Sequence, residues 1–306
     1  MVDNANALGI ETTKLPSGAL LIDCGIDAAG GLEAGRQLAK CCLADLGSVE
    51  IVPGSTEVGG QLAASPAVQV YTDQPVAACM ASQYAGWEVK QGDFFAMGSG
   101  PMRAAANKEE LFEDIGFIES PAEVVGVLES RQLPGEEVAK YLADACGVAP
   151  RDVILLIAPT ASQAGNVQVV ARSVETTLHK LHELQFDLDR IVSGYGVAPL
   201  PPIAKDDLEG IGRTNDAILY GGEVTLWVQG DDESLEEFGP KVPSNSSADH
   251  GRPFGEIFAN YEYDFYKIDK NLFSPAVVTF MNIETGKTQR YGITMPDVVK
   301  ASFFGE

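Results

Sequence analysis

An α/β fold with some α+β character, arranged as two mixed domains, is predicted by three observations. The chain has 306 residues with 45% apolar content, enough for two cores of ordinary size. Short β-type segments alternate with helical ones along most of its length. The fully apolar VILLIA (153–158) runs through a polar loop, TASQAG, into a long amphipathic segment, the strand–loop–helix order of an α/β unit. A boundary near 150, giving domains 1–150 and 151–306, follows from length alone and leaves open a chain that crosses between them.

Residues 8–24 read as two short strands turning at Pro16-Ser17-Gly18. Gly30-Gly31 precede a helix in LEAGRQLAKCCLADL, where Leu32, Gly35, Leu38, Ala39, Cys42 and Leu46 share a face. VEIV, AVQVYT and VAACMA read as strands separated by Pro and Gly. FFAMGSGPMRAA (94–105) sets Gly98, Ser99 and Gly100 between an apolar run and an Ala-rich helix start. Such a loop is either a plain turn or a place where backbone N–H groups meet an anion, with Arg103 beside it; it lacks the GK[ST] ending of a P-loop. Helices over 104–116 and 135–147 flank the strand VVGVLE.

The segment from Asn166 to Leu184 reads as one amphipathic helix buried through Val167, Val170, Ala171, Val174, Leu178 and Leu181. On a continuous helix Gln168, Arg172, Glu175 and His179 fall within roughly 60° along one edge. Arg172 and Glu175 are the best candidates for acid–base or water-activating chemistry, because a guanidinium favours the charged carboxylate that accepts a proton. The same i,i+3 pair is also a common structural ion pair, worth about 0.2–0.5 kcal/mol. Beyond it, Arg213-Thr214-Asn215-Asp216 reads as a polar turn before apolar strands, and SNSSADHG (244–251) as a flexible polar loop. DFYKID, with Tyr266 and Lys267, fits either sheet packing or a ligand wall.

Composition excludes several classes. A net charge of −23, from 21 basic and 44 acidic residues, repels nucleic acid and anionic membrane. The absence of a long apolar run or a basic, apolar leader predicts a soluble, cytoplasmic protein. Five cysteines without a CxxC pair read as reduced packing thiols. Three histidines without HExxH argue against zinc, and no GxSxG, Walker or Rossmann signature is present.

Several long stretches, read together, resemble one family: LPSGALLIDCGIDAAGGLEAG, ASQYAGW, FFAMGSGP, QVVARSVETTLHKLHEL, GRTNDAILYGG, and DFYKID followed by LFSPA. The family is methenyltetrahydromethanopterin cyclohydrolase, and the resemblance runs from about Leu15 to the C-terminal region. Met102, where a smaller residue is expected, and the first dozen residues depart from it. The resemblance implies two α/β domains enclosing a large substrate cleft, a homotrimer, and no metal or redox cofactor, the tetrahydromethanopterin-type carrier being the substrate. It implies reversible hydrolysis of the 5,10-methenyl carrier to the 5-formyl form, in methanogenesis or formaldehyde oxidation. It also carries the catalytic pair of the ARSVE motif onto Arg172 and Glu175. For the pterin and its anionic tail the chain offers Gly98, Ser99, Gly100, Arg103, Arg213, Asn215, Asp216, Tyr266 and Lys267. The competing readings are a non-catalytic pterin-binding or carrier-sensing protein, and a phosphometabolite enzyme using the GSGP loop.

Overall fold

A computed structural model describes residues 1–54 and 65–305. In chain order its strands begin with β1 (Glu11–Lys14), β2 (Leu20–Asp23), β3 (Ser48–Pro53), β4 (Pro66–Thr72), β5 (Trp87–Gln91) and β6 (Phe94–Ser99). They continue with β7 (Val124–Glu129), β8 (Val153–Ala158), β9 (Ile191–Pro199), β10 (Glu223–Val228), β11 (Val277–Asn282) and β12 (Thr288–Gly292). The helices are α1 (Ala5–Leu8), α2 (Leu32–Cys42), α3 (Met102–Ala106), α4 (Leu111–Ile115), α5 (Glu136–Cys146) and α6 (Gln163–Val170). After these come α7 (Ser173–Glu183), α8 (Asp207–Gly221), α9 (Asp232–Phe238), α10 (Phe254–Asn260) and α11 (Pro296–Phe304). Among the described residues no helix is long and apolar enough to cross a membrane.

Two compact units emerge, Met1–Gly47 with Val76–Gln168, and Ser48–Pro75 with Val169–Glu306. The chain therefore leaves the first unit to form β3 and β4 of the second and then returns. The first unit holds a mixed sheet in the order β1-β2-β8-β7-β6-β5, with β8 parallel to both β2 and β7. The second holds β12-β11-β10-β9-β4-β3, parallel only between β10 and β11. The α/β class is as predicted. β8 lies beyond residue 150 yet is a central strand of the first sheet, which is why VILLIA is apolar without alternation. Leu155 and Ile157 join a core with Val138, Ala139 and Leu142 of α5, whereas Leu156 and Ala158 face Ala34, Leu38 and Cys42 of α2.

Three sequence expectations are corrected. VAACMA is not a strand: Val76–Gln83 is a π-helix, and its wide winding continues where Tyr84 N–H donates to Cys79 O, five residues back, at 2.8 Å. The helix expected over 104–116 is two short ones, α3 ending in left-handed backbone at Asn107 (φ 47°) and α4 following it. Arg213–Asp216 is not a turn but part of α8. There Thr214 Oγ1 donates to Gly210 O and Asn215 Nδ2 to Ile211 O, so turn-type side chains bond back onto helical carbonyls. Met102 also finds a reason. A Cβ at Gly98 would lie 2.9 Å from Met102 Cε, so the thioether occupies space that the glycine leaves open.

Candidate functional site

The predicted single helix from Asn166 to Leu184 is two helices. α6 ends at Val170 and α7 begins at Ser173, with Arg172 (φ −86°, ψ 8°) as the residue before the first turn. Arg172 N–H donates to Val169 O at 3.1 Å, and Arg172 O accepts from Thr176 N–H (2.8 Å) and Thr176 Oγ1 (2.7 Å). Gln168 thus belongs to a different helix from Glu175, and the one-edge ridge of a continuous helix does not form. The break gives something else: Glu175 stands in the first turn of α7, where the helix dipole favours a carboxylate. Both side chains are buried, Arg172 at 6% and Glu175 at 5% exposure.

α7 is seated by glycine. Val174, Leu178 and Leu181 are fully buried, and a Cβ at Gly194 would lie 2.6 Å from Val174 Cγ1. A Cβ at Gly196 would collide with Ser173 Oγ, so the IVSGYG strand, β9, is small where the helix rests. On the other flank of α7 is a residue that sequence reading passed over. Lys180 is 1% exposed, and its Nζ donates to Asn271 Oδ1 (2.6 Å), Asn271 O (3.1 Å) and Ser246 Oγ (3.3 Å). Burial draws its pKa down to about 8, against the opposing pull of Asp269 and Glu183. SNSSADHG is accordingly no free loop: Ser244–Ser246 form a 3-10 turn, with Ser244 Oγ donating to Leu219 O.

In the first unit the parallel strands β2, β8 and β7 end at one edge, the edge where α/β sheets receive ligands. Asp23 closes β2; its Oδ1 accepts from Gly25 N–H (2.9 Å) and Ile26 N–H (2.7 Å), its Oδ2 from Asp27 and Ala28 N–H (2.9 Å each). Burial raises its pKa, but the four N–H bonds outweigh this and hold it below the usual carboxylate range. After β8, Ser162 Oγ donates to Pro159 O and accepts from Gly165 N–H, capping α6. Glu129 closes β7, and its Oε1 accepts from Gln168 Nε2 at 3.2 Å. Neither acid stood out in the sequence. The available signal was that two apolar strands, LLID and VVGVLE, each end on a carboxylate.

The remaining candidates divide between the units. Gly98 and Ser99 are buried strand residues of β6, Ser99 Oγ lying 3.2 Å from Cys42 Sγ, and Gly100 N–H donates to Ser82 O at 2.8 Å. The N–H group of Gly100 expected to face an anion is spent inside the unit. Arg103 is wholly buried; it forks onto Glu109 (2.8 and 2.6 Å), donates to Met80 O (2.7 Å) and lies against the rings of Tyr84 and Phe112. That guanidinium is committed to the fold rather than turned to an anion. In the second unit Arg213 binds Glu209 (2.8 Å), Pro202 O and Ile203 O. Asp216 is 1% exposed and accepts from Phe254 N–H at 2.7 Å. Burial pushes its pKa up to about 7, while Ser302 and the Phe254 N–H act in the other direction. Lys267 is exposed and pairs with Glu262 at 2.9 Å; Tyr266 shares its 3-10 turn, with a side chain outside the described part.

A cavity of about 250 Å³ in the second unit is lined by Tyr195, Val197, Pro199, Glu223, Thr225 and Arg290. These β9 residues alternate with Gly194 and Gly196, so the cavity lies on the sheet face opposite α7, away from Glu175.

Two α/β units, each built on a six-stranded mixed sheet, with a buried carboxylate, Glu175, in the first turn of α7, define an α/β protein of the class predicted from the sequence. More narrowly, the chain belongs to the Cyclohydrolase (MCH) family, whose model matches residues 1–303. A methenyltetrahydromethanopterin cyclohydrolase of Rhodopirellula baltica is 50% identical over 303 residues, covering 97% of this chain and 90% of that protein. The protein of that name from Xanthobacter autotrophicus is 47% identical, covering 100% and 89%. The one from Methanosarcina mazei is 45% identical, covering 99% and 94%.

Proposed function

We propose that the protein reversibly hydrolyses 5,10-methenyltetrahydromethanopterin to 5-formyltetrahydromethanopterin. The observation that carries this reading is the family match over residues 1–303 together with near-full-length relatives of that name at 45–50% identity. The methenyl carbon lies between two nitrogens in a delocalised cation and is already electrophilic, so catalysis consists of placing a water and removing its proton. Glu175 is the base. Arg172 keeps that carboxylate ionised and sits behind it, since a guanidinium beside the reacting cation would oppose the substrate's charge.

As the water oxygen bonds to the methenyl carbon, Glu175 takes a proton and the cation's charge is lost. The neutral adduct then breaks one C–N bond. The departing nitrogen is protonated, the other keeps the formyl group, and one proton is released in all. The carrier is the substrate, and neither metal nor redox cofactor takes part. Among the substrate-binding candidates, the exposed ammonium of Lys267 suits an anionic tail, whereas Arg103 and Asp216 act within the fold. The reading includes a homotrimer working in cytoplasmic one-carbon metabolism, in methanogenesis or formaldehyde oxidation.

The test is to mix purified protein with the methenyl carrier and follow the loss of its absorbance. Fast decay supports the function, and no turnover rejects it in favour of a pterin-binding protein. An Arg172→Leu variant should move the rising limb of the pH–rate profile to higher pH; an unmoved profile removes Arg172 from this role.

A further inference from the structure

We infer that the sheet face of the second unit turned away from α7 docks a second copy of this chain, the large side chains at one end of the face entering the hollow at the other. The inference stands apart from the proposed reaction and names the surface on which the proposed homotrimer assembles.

Burial alternates residue by residue along β10, and from Gly194 to Ala198 β9 does the same. On the α7 side Val68, Val70, Val224, Leu226 and Phe280 are fully buried. On the opposite side the register sets Tyr71 beside Tyr195, and Trp227 between Ser193 and Met281. There Tyr71 is 45% exposed, and Tyr195, Val197, Trp227 and Met281 are half-buried. A sheet with one face in water ordinarily alternates apolar residues with polar ones. Two tyrosines, a tryptophan and a methionine are instead the residue types that concentrate at protein interfaces.

Shape and charge both select a copy of the same chain as the occupant. The hollow of about 250 Å³, lined by Val197, Pro199 and Thr225, lies toward the end of β9, whereas Trp227 and Met281 stand level with Ser193 near its start. Its volume falls below the roughly 300–1,000 Å³ of small-molecule pockets and suits a protruding side chain better. An apolar patch and a hollow at two places on one molecule permit self-association, in which each copy gives its patch to one neighbour and receives that of the next until the ring closes. The charged strand residues on this face are Glu50, Glu223 and Arg290, the last two paired at 2.7 Å, in a chain whose net charge is −23. Copies of so acidic a chain repel one another, and a face with little net charge lets them meet at the least like-charge cost.

The experiment is sedimentation velocity over a wide concentration range on wild type, on Trp227→Glu at the bulky end and on Val197→Trp in the hollow. Tyr71→Glu, at the most exposed of these positions, is the variant least able to disturb the fold. Wild type should assemble, and each variant, native by circular dichroism, should need a concentration at least about 30-fold higher to do so. Mixing Trp227→Glu with Val197→Trp should restore association, because the intact bulky end of the second meets the intact hollow of the first; a damaged fold is not repaired in this way. An assembly that no variant weakens, or that the mixture fails to restore, overturns the inference alone. A wild type that stays monomeric overturns the inference and the homotrimer together, and gives the face to a different protein or a small ligand. A dimer that the variants weaken supports the inference and removes the homotrimer. Turnover of the methenyl carrier by the same wild-type sample decides the proposed reaction separately.

Discussion

Replacing Asp216 by Asn should make the second unit markedly more stable at pH 8 and little different at pH 4. In the folded chain burial pushes this carboxyl up to about 7 from its ordinary 3.8, despite the hydrogen bonds from Ser302 and Phe254 N–H. Between those two values the folded chain holds a proton that the unfolded chain has released. Stability therefore falls as pH rises through this window and levels off above about 7. The full difference corresponds to about 4 kcal/mol, an order-of-magnitude figure, lost by wild type across the window. Asp216→Asn keeps an oxygen to accept from Phe254 N–H and carries no charge at any pH, so it escapes the loss. Thermal unfolding of both proteins at pH 4, 5, 6, 7 and 8 reads the gap directly. It should open with rising pH to something on the order of 10 °C, taking about 2–4 °C per kcal/mol for a unit of this size. A gap that stays constant from pH 4 to 8 refutes the argument, because it would mean that Asp216 has the same proton affinity folded and unfolded.

Three further outcomes follow from the packing. Arg103→Met strands the partly buried Glu109 and the Met80 carbonyl, and should cost the first unit about 3 kcal/mol in denaturant unfolding, with Arg103→Lys a poor rescue because it loses the fork; an unchanged midpoint contradicts this. Gly196→Ala drives a methyl at Ser173 and Val174 beneath the start of α7, and should lower kcat by about 10-fold while circular dichroism remains native; full kcat would show that α7 tolerates displacement. Lys180→Met removes the donor that ties Asn271 and Ser246 to α7, and limited proteolysis should cut faster between residues 244 and 274; an unaltered cutting pattern would make the lysine dispensable there.

Much of the fold was legible where one physical cause dominates. VILLIA is apolar at every position because both faces of β8 are covered. The break between α6 and α7 was not legible, because the apolar spacing of three and four runs straight through it: Val167, Val170 and Val174 would share a stripe on an unbroken helix too. Arg213–Asp216 misled for a different reason. Residues that favour turns by bonding to nearby backbone here bond to carbonyls three or four residues back, an equally local choice that composition does not reveal. VAACMA has no strand alternation to contradict the π-helix, and nothing in it specifies one.

At the candidate site, Arg172 and Glu175 were visible as a charged pair in an apolar segment, and family resemblance gave them a role. Their burial and the helix start that favours the Glu175 carboxylate needed the structure. Arg103 looked available because it stands just beyond the GSGP loop and before a run of alanines, whereas its partners are Glu109, six residues on, and Met80, far upstream. The Gln168–Glu129 bond spans 39 residues, beyond any periodicity.

The central claim is that Glu175 removes the proton from the attacking water. Single-turnover decay of the methenyl chromophore, measured for wild type and Glu175→Gln at saturating enzyme, tests it most directly because binding and product release drop out. The account predicts that Glu175→Gln folds normally, binds the carrier and reacts at least ~100-fold more slowly. A variant that reacts at the wild-type rate contradicts it.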